Sequence, residues 1–392
     1  MLADLHVHYP MRVIEERDGT KPGTTVRLMG SARPRSRPGD KLRALVLRLA
    51  TRLLSDKDLW SGYRVTVPYL REGGVGVGFS TLYSPFDEMD LEKPYGSPPE
   101  SAYFTRLLTD LQSVEDEVAG YDSSVIRVVH NRQELEECIT DGATGLVHAV
   151  EGAFHLGDGV DEIKQNVATL AEKGVAYVTI AHLFFRQVAT NANAIPFAPD
   201  PIYNLLFPQK ANVGLTERGR AAIEALVANR VLVDISHMRP DAVQQTFKLL
   251  DEIDPQHEVP VISSHAGYRF GGQDYMHDEQ ALREIQRRDG VIGLIMAQHQ
   301  LNDGIRKKET KSLPESLEVI YRHIDKIAEI TSGHDHIALG TDFDGFIKPT
   351  MGGLQTSADL KDLERELRAK YPTEADAMTS GNVLRVLRKV WV

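Results

Sequence analysis

Short apolar, β-branched runs recur along this chain, and most precede a longer segment with helical periodicity. Eight runs are predicted as strands: MLADLHV from Met1, GGVGVGFSTLY from Gly73, TGLVHAVE from Thr144, GVAYVTIAH from Gly174, RVLVDISH from Arg230, VPVISSH from Val259, GVIGLIM from Gly290 and HIALGTDFD from His336. Continuous apolar strands separated by helices such as LTERGRAAIEALVANR indicate parallel strands with a covered outer face. A right-handed series of eight closes into a (β/α)8 TIM barrel, which is the predicted α/β fold.

A doubly wound open sheet is the competing fold, but no glycine-rich dinucleotide or phosphate fingerprint follows the first strand. We therefore interpret residues 1–392 as one barrel domain that carries inserted segments and a C-terminal helix. One insertion, around residues 19–59, is basic: nine Lys or Arg and a single acid, Asp40, lie between Lys21 and Arg52. Its second half, KLRALVLRLATRLL, predicts an amphipathic helix packed on the barrel, with membrane contact as the alternative.

Composition places the chain among ordinary globular proteins, with 42% hydrophobic and 26% charged residues. The formal net charge of −11 argues against a general nucleic-acid binder. No signal peptide is recognised before the first strand, and no uncharged apolar run reaches the roughly 18 residues that a bilayer span needs. The single cysteine, Cys138, excludes an intrachain disulfide. We expect a cytoplasmic protein without a membrane or nucleic-acid partner, and we leave a homodimer open.

Polar residues stand where the predicted strands end. His6 and His8 point to the same face of the first strand about 7 Å apart, so they are able to share one cation. The other strand-end residues are Glu151, His182, His237, His265 and Asp342. Because the carboxyl ends of barrel strands surround one mouth, these side chains are expected to converge in a single cavity. Imidazoles and carboxylates are ligands of transition-metal ions, so the sequence predicts a metal site there.

The motifs resemble those of the membrane dipeptidase (renal dipeptidase) family of metallopeptidases, within the amidohydrolase superfamily. The similarity runs nearly end to end and rests on YLREGGVGVGFSTLYSP, VHAVEGA, YVTIAH, GLTERGRAAIEALVANRVLVDISHM, PVISSHAGYR, HIALGTDFDG and GNVLRVLRKVW. The resemblance implies a barrel with a two-metal site, usually zinc. It also implies zinc-dependent hydrolysis of a small amide, above all an L,L or L,D dipeptide, by a hydroxide held between the ions.

The resemblance further implies a role for each strand-end residue. His6 and His8 would hold the first ion, Glu151 would bridge both, and His237 and His265 would hold the second. A carboxylate suits the bridge because it offers two oxygens and one negative charge.

The last two residues act on the substrate. His182 would approach the substrate carbonyl, serving both catalysis and binding. Asp342 would take a proton from the water and pass it to the leaving amine. Asp344 is the alternative for this proton transfer, since alternation along an extended strand puts it on the same face.

Two departures from the family pattern bear on specificity. The family's first strand commonly reads His-x-Asp, whereas this chain has His8 at the second position. Asp274 or a neighbour falls where the family has an arginine that binds the substrate carboxylate, and nearby Arg269 is the predicted substitute. If that arginine is truly absent, another small or cyclic amide becomes the alternative substrate. A barrel that binds metal or ligand without turnover is a third reading, but Glu151 and Asp342, whose loss would have indicated it, are both present.

Overall fold

A computed structural model describes residues 1–19, 41–43, 45, 62–88, 93–195, 200–209, 213–345 and 350–392. The predicted basic insertion and its helix therefore lie almost entirely outside the described residues. The rest of the chain forms a single parallel sheet that closes on itself, with helices between its strands.

Nine strands pair in the order β2-β1-β9-β8-β7-β6-β5-β4-β3, and a further pairing of β2 with β4 closes eight of them into a barrel. The strands are β1 (Leu2–Val7), β2 (Val75–Leu82), β3 (Ile126–Val128), β4 (Thr144–Glu151), β5 (Tyr177–Thr179), β6 (Leu232–Asp234), β7 (Val261–Ala266), β8 (Val291–Leu294) and β9 (Ile337–Leu339). Each of the eight predicted runs contains one barrel strand, so the predicted TIM barrel is confirmed. The three-residue β3, which pairs with the start of β4, was missed because its apolar run is too short to stand out.

Helices cover the outside of the barrel and fill its connections. In chain order they are α1 (Tyr9–Arg17), α2 (Val67–Glu72), α3 (Pro85–Glu88), α4 (Ser101–Val118), α5 (Arg132–Asp141), α6 (Val160–Glu172), α7 (Asp200–Leu206), α8 (Glu217–Ala228), α9 (Pro240–Ile253), α10 (Glu279–Arg287), α11 (Gln298–Leu301), α12 (Leu313–Thr331), α13 (Leu360–Lys370) and α14 (Asn382–Val390). Among the described residues, no helix combines the length and apolar character needed to cross a bilayer.

The C-terminal helix α14 packs its apolar side into the same buried cluster as Leu5 of β1 and Ala338 of β9. Asn382, its first residue, donates hydrogen bonds to the backbone carbonyls of His334 and Ile337 at 2.7 and 2.8 Å. Cys138 is buried in this cluster. Helix α14 thus covers the end of the barrel where the strands begin. The opposite end, where the strands finish, carries the polar side chains.

Candidate metal centre

Five predicted ligand residues meet at the carboxyl end of the barrel. His6 lies in β1 and His8 one residue beyond it, Glu151 ends β4, His237 follows β6, and His265 lies in β7. All five side chains are almost completely buried. The parallel sheet places these strand ends around one mouth, which is why residues far apart in sequence become neighbours.

Glu151 stands at the centre of this group. Its Oε1 lies 3.4 Å from His6 Nε2, 3.3 Å from His237 Nε2 and 3.4 Å from His265 Nε2. Its Oε2 lies 3.4 Å from His8 Nε2. The ligand atoms of a tetrahedral zinc ion, with bonds of about 2.0–2.1 Å, stand roughly 3.4 Å apart. The spacing around Glu151 therefore matches that of ligands that share cations.

A buried polar atom supports the same conclusion. Among the described residues, Glu151 Oε1 is buried and has no hydrogen-bond partner. A buried anionic oxygen left unpaired is costly, and coordination to a cation removes that cost. The residues present thus fit a metal centre.

The ligand atoms form overlapping groups, two of which share Glu151. One group joins His6, His8 and Glu151, and another joins Glu151, His237 and His265, with all ligand atoms of a group within 4.8 Å of one another. A third group, of His6, His265 and Asp342, meets the same limit and connects the first two. Within them, the Nε2 atoms of His6 and His8 are 3.2 Å apart, and those of His237 and His265 are 2.9 Å apart. Two imidazole nitrogens and one carboxylate per group are a donor set typical of zinc.

Hydrogen bonds behind the site orient two of these rings. Nδ1 of His265 lies 2.8 Å from Ser264 Oγ, which donates to Asp234 Oδ2 at 2.6 Å. Nδ1 of His6 lies 2.8 Å from the Tyr177 hydroxyl, which donates to the Leu5 carbonyl at 3.0 Å. Because each hydroxyl donates its own proton to another oxygen, it accepts the proton on Nδ1 of the histidine. Nε2 of that histidine is then free to bind a metal. No pattern in the sequence indicates Tyr177, Ser264 or Asp234 as supporting residues.

The electrostatics of Glu151, His237 and His265 favour the protonation states that metal binding needs. Burial opposes ionisation of Glu151, but the facing charges of His182 and His6 outweigh it and hold the pKa of this carboxyl well below its usual range. Burial lowers the pKa of His237 and holds that of His265 well below its usual range. Burial also opposes the charged form of His6, but the facing carboxylate of Glu151 outweighs it and raises the pKa of His6, so a cation must displace a proton there.

His182 reaches the same cluster from the segment after β5. Its Nε2 lies 3.2 Å from Glu151 Oε2, and its Nδ1 lies 2.9 Å from Glu88 Oε2. Glu88, at the end of α3, also accepts hydrogen bonds from the Tyr83 hydroxyl at 2.7 Å and the Phe184 backbone N–H at 2.8 Å. Sequence reasoning missed Glu88, since the stretch SPFDEMD resembles an ordinary acidic turn.

The two aspartates after β9 have separate surroundings. Asp342 Oδ1 lies 3.2 Å from His8 Nε2, at the metal centre. The Asp344 carboxylate instead accepts hydrogen bonds from the backbone N–H groups of Arg64 and Val65 at 2.9–3.1 Å. Burial raises the pKa of Asp344 to about 6 against these bonds. Of the two, only Asp342 is brought to the predicted ligands.

The backbone is strained at this end of the barrel. His237, Asp342 and Asp344 adopt positive φ angles of 63°, 60° and 64°. The left-handed conformation is unfavourable for residues other than glycine, and such strain persists where a site requires it. Next to them, a Cβ on Gly345 would overlap the Asp342 carboxylate and the His8 ring, so glycine leaves room for both.

Arg269 is not among the residues that the structure brings to the ligands. Its Nε donates to the Met276 carbonyl at 2.9 Å, and its Nη1 lies 3.3 Å from Asp274 Oδ1. It lines a cavity of about 240 Å³ between α9 and α10, together with Asp274 and His277. Asp274, one of the residues expected near the family's arginine position, thus pairs with the predicted substitute.

Asp4, one step deeper in β1, supports the backbone rather than an imidazole. Its carboxylate accepts hydrogen bonds from the Thr341 N–H and hydroxyl at 2.9 and 2.7 Å, and from the His6 N–H at 3.3 Å. His148, on the opposite face of β4 from Glu151, contacts a side chain, since its Nε2 lies 2.9 Å from the Glu115 carboxylate.

Comparison with known families identifies the chain. The family model for membrane dipeptidase, peptidase family M19, matches residues 41–391. The chain belongs to the membrane dipeptidase family. The match begins after β1, so His6 and His8 lie before the matched segment, and the barrel brings them to the ligands that lie within it.

Relatives of this M19 peptidase are distant. An uncharacterized protein encoded in the pqqA 5′ region of Klebsiella pneumoniae is 27% identical over 280 residues, which cover 70% of this chain and 93% of that protein. An uncharacterized dipeptidase of Schizosaccharomyces pombe is 23% identical over 328 residues, covering 81% of this chain and 71% of the relative.

Solved structures share the fold of this M19 peptidase. The metallopeptidase dipeptidase AC, of family M19, superposes with a TM-score of 0.67 at 20% identity, covering 88% of this chain and 96% of its own. A metallopeptidase of Rhodobacter sphaeroides, liganded with a phosphinate mimic of the dipeptide L-Ala-D-Ala, gives a TM-score of 0.62 at 20% identity, covering 88% and 97%. Family membership makes this chain a metallo-dipeptidase-like hydrolase, as the sequence motifs predicted.

Proposed function

We propose that this M19 peptidase is a zinc-dependent dipeptidase with two zinc ions. His6, His8 and Glu151 would hold one ion, and Glu151, His237 and His265 the other. The observation that carries the proposal is the Glu151 carboxylate, whose buried Oε1 lies within 3.4 Å of three imidazole nitrogens and has no hydrogen-bond partner among the described residues. Bound divalent cations would polarise the substrate carbonyl and acidify the attacking water.

Two side chains are proposed to supply the hydrogen bond to the substrate carbonyl and the proton transfer that amide hydrolysis also needs. His182 is proposed to donate a hydrogen bond from Nε2 to the substrate carbonyl oxygen, because Glu88 holds its Nδ1 and fixes the ring direction. Asp342 is proposed to accept a proton from the attacking water and to return it to the amine nitrogen as the C–N bond breaks. Its Oδ1, 3.2 Å from His8 Nε2, is placed beside the ligand group where that water would enter.

Substrate specificity turns on Arg269 and Asp274. A negative charge at Asp274 disfavours a substrate carboxylate, whereas Arg269 beside it offers the compensating cation. We keep Arg269 as the proposed carboxylate-binding residue, and hydrolysis of another small or cyclic amide as the alternative that the Asp274 position favours. The dipeptide mimic bound by the Rhodobacter sphaeroides metallopeptidase supports including L,D pairs among the candidate substrates.

Removal of the Arg269 side chain tests this role. We expect Arg269→Ala to lower kcat/KM for dipeptides at least tenfold more than for the same dipeptides with an amidated C-terminus, since only the free carboxylate loses an ion pair. Arg283→Ala, an exposed arginine on α10 that pairs with Glu279, is the matched control. Equal losses on both substrate sets would show that Arg269 supports only its loop.

The function itself is tested by activity and metal content together. The zinc-reconstituted protein is assayed against a library of L,L and L,D dipeptides and against cyclic amides, and Glu151→Gln serves as the ligand-deficient variant. We expect dipeptide hydrolysis that Glu151→Gln loses along with the zinc bound at the mouth of the barrel. Turnover of cyclic amides alone would select the alternative, and no zinc-dependent turnover of any of these amides would refute the proposal.

We also keep the cytoplasm as the proposed location. The single cysteine supports it, because disulfides are the usual mark of an oxidising compartment. Fractionation of the native host tests it, and recovery in a membrane or secreted fraction would contradict it.

A further inference from the structure

A second group of metal-ligating side chains lies on the outer side of β4, away from the metal centre. Glu115 comes from α4, His130 follows β3, and His148 lies in β4 three residues before Glu151. Because alternate residues of a strand face opposite sides, His148 points toward the helices while Glu151 points into the mouth. We call Glu115, His130 and His148 the Glu115 cluster.

The three side chains of the Glu115 cluster meet at one carboxylate oxygen. Glu115 Oε1 lies 2.7 Å from His130 Nε2 and 2.9 Å from His148 Nε2. Their ligand atoms all lie within 4.8 Å of one another. His148 is fully buried, whereas the His130 side chain keeps 34% of its exposure and that of Glu115 25%. The cluster therefore has a closed inner side and a side open to solvent, from which an ion and a water molecule have access.

The exposed imidazole has a fixed direction. Nδ1 of His130 lies 2.9 Å from Glu134 Oε2, and the same oxygen accepts the His130 backbone N–H at 2.8 Å. A carboxylate that holds one ring nitrogen of a histidine aims the other at a metal and makes it a better donor. Glu134 belongs to the first turn of α5, so this orientation is built into the helix that follows the histidine.

The buried imidazole has a neighbour for its second nitrogen. Among the described residues, His148 Nδ1 and Ser80 Oγ are both buried without a hydrogen-bond partner. Ser80 of β2 is the register partner of His148, so the two side chains leave neighbouring strands about 4.8 Å apart on the same face. Because the two atoms are not hydrogen-bonded to each other, a proton on Nδ1, which coordination through Nε2 requires, would pair with this hydroxyl only after a small rotation of either side chain.

The charge of the cluster suits a divalent cation. Burial opposes the charged form of Glu115, but hydrogen bonds from His130 and His148 outweigh it and lower the pKa of this carboxyl to about 2. Hydrogen bonds to Glu115 and Glu134 outweigh burial and raise the pKa of His130 to about 9, so an ion must displace a proton from this ring. Once both histidines are neutral, the carboxylates of Glu115 and Glu134 would balance a charge of +2. Two imidazoles and one carboxylate select zinc or a similar transition-metal ion over calcium or magnesium, which prefer oxygen ligands alone.

We propose that the Glu115 cluster is a third metal site, separate from the catalytic pair, in which zinc binds His130 Nε2, His148 Nε2 and the Glu115 carboxylate with solvent as the fourth ligand. Zinc ligand atoms stand roughly 3.4 Å apart, so the nitrogens of His148 and His130 would move away from Glu115 by about 0.5 and about 0.7 Å as the ion replaces the shared protons. The ion links α4 and the segment after β3 to β4. It is structural, because no residue of the cluster contributes to the catalytic centre.

The proposal is tested by counting zinc in matched variants. Wild-type protein, His130→Gln and Glu115→Gln are dialysed to equilibrium against low-micromolar zinc, and zinc per chain is measured by elemental analysis. His257→Gln, which removes an exposed histidine bonded to the Arg287 carbonyl, is the control. We expect both cluster variants to hold one zinc ion fewer than wild type and the control to match wild type, whatever the catalytic centre holds.

Two further measurements complete the test. Amide hydrolysis by His130→Gln at saturating zinc should stay within about twofold of wild type, because the catalytic centre is untouched. Zinc should also raise the melting temperature of Glu151→Gln, which keeps the cluster, but not that of Glu151→Gln combined with Glu115→Gln. Equal zinc content in wild type and both cluster variants would overturn the proposal and leave the cluster as a purely hydrogen-bonded contact.

Discussion

Three buried imidazoles at the mouth of the barrel each have one ring nitrogen occupied by a supporting oxygen. Hydrogen bonds to Tyr177 and Ser264 take up Nδ1 of His6 and His265, and Glu88 takes up Nδ1 of His182. In each ring Nε2 is left to face Glu151. The supporting oxygens therefore determine which nitrogen of each histidine faces the site.

Loss of the proposed proton carrier should separate turnover from metal binding. Asp342→Asn keeps the shape of the side chain but cannot take a proton, so we expect kcat to fall by about 10²- to 10⁴-fold with zinc content unchanged. Steady-state kinetics with elemental analysis on the same sample measures this. Near-normal turnover would mean that another group carries the proton.

Loss of the carboxylate behind His182 should act through that histidine. Glu88→Gln removes the charge that accepts from His182 Nδ1 and from the Tyr83 hydroxyl, and we expect kcat to fall about tenfold with little change in melting temperature. Asp87→Asn is the matched control, because Asp87 is also buried but pairs with Arg106. Equal losses in the two variants would assign Glu88 a role in folding only.

Single elements serve more than one part of the molecule. β4 presents Glu151 to the mouth and His148 to α4, so its two faces carry different chemistry. Helix α12 also contacts two other parts of the molecule through one side chain, the buried His323. Its Nε2 donates to the Leu301 carbonyl at 3.0 Å, and its Nδ1 accepts the Tyr268 N–H at 3.1 Å. The neutral ring thereby joins α12 to α11 and to the segment after β7.

The buried ring of α12 predicts a pH dependence of stability. Burial lowers the pKa of His323 to about 4, against the hydrogen bond to Leu301. Because the folded pKa lies below the unfolded value of 6.5, the unfolded state binds the proton first, and stability present above pH 6.5 is lost as pH falls toward 4. The difference corresponds to about 3 kcal/mol.

A variant that cannot titrate isolates this effect. We expect His323→Gln, whose amide is able to donate to Leu301, to show a shallower fall in melting temperature between pH 6.5 and 4 than wild type. The exposed His257→Gln should keep the wild-type slope. Parallel slopes for all three proteins would assign the acid sensitivity to other groups.

At the scale of the whole molecule, the barrel pairs its first strand with its last. β1 pairs with β9, and the Asp342 N–H donates to the His6 carbonyl at 2.9 Å. The ligands therefore come from strands spread around the ring. Metal ions bound as proposed would hold β1, β4, β6 and β7 together and would stabilise only the folded barrel.

Metal removal should lower the stability of the entire barrel. A ligand at a thousand times its dissociation constant adds about 4 kcal/mol, so EDTA treatment should lower the melting temperature by several degrees, and zinc should restore it. Calorimetry should show one main transition if residues 1–392 form one domain, as we predict. In the Glu151→Gln variant, added zinc should raise the melting temperature much less than it does in wild type. Identical melting with and without metal would contradict the shared site.

The sequence by itself determined the barrel, the family and the group of residues at its mouth. Apolar runs ending in His6, Glu151, His265 or Asp342 identify both the strands and their carboxyl ends. Parallel strands in a closed ring have all those ends on one side, so convergence follows without any knowledge of contacts. The predicted barrel and family were confirmed, and the roles assigned to the individual residues stay predictions.

Only the tertiary structure decided which side chains stand behind that group. The local sequence pattern does not predict four contacts: Glu88 with His182, Asp344 with the Arg64 backbone, Arg269 with Asp274, and Glu115 with His148. The short β3 likewise becomes a strand through its pairing with β4. Such contacts depend on register and side-chain rotamers between distant segments, whereas hydrophobic periodicity records only which face of an element is buried.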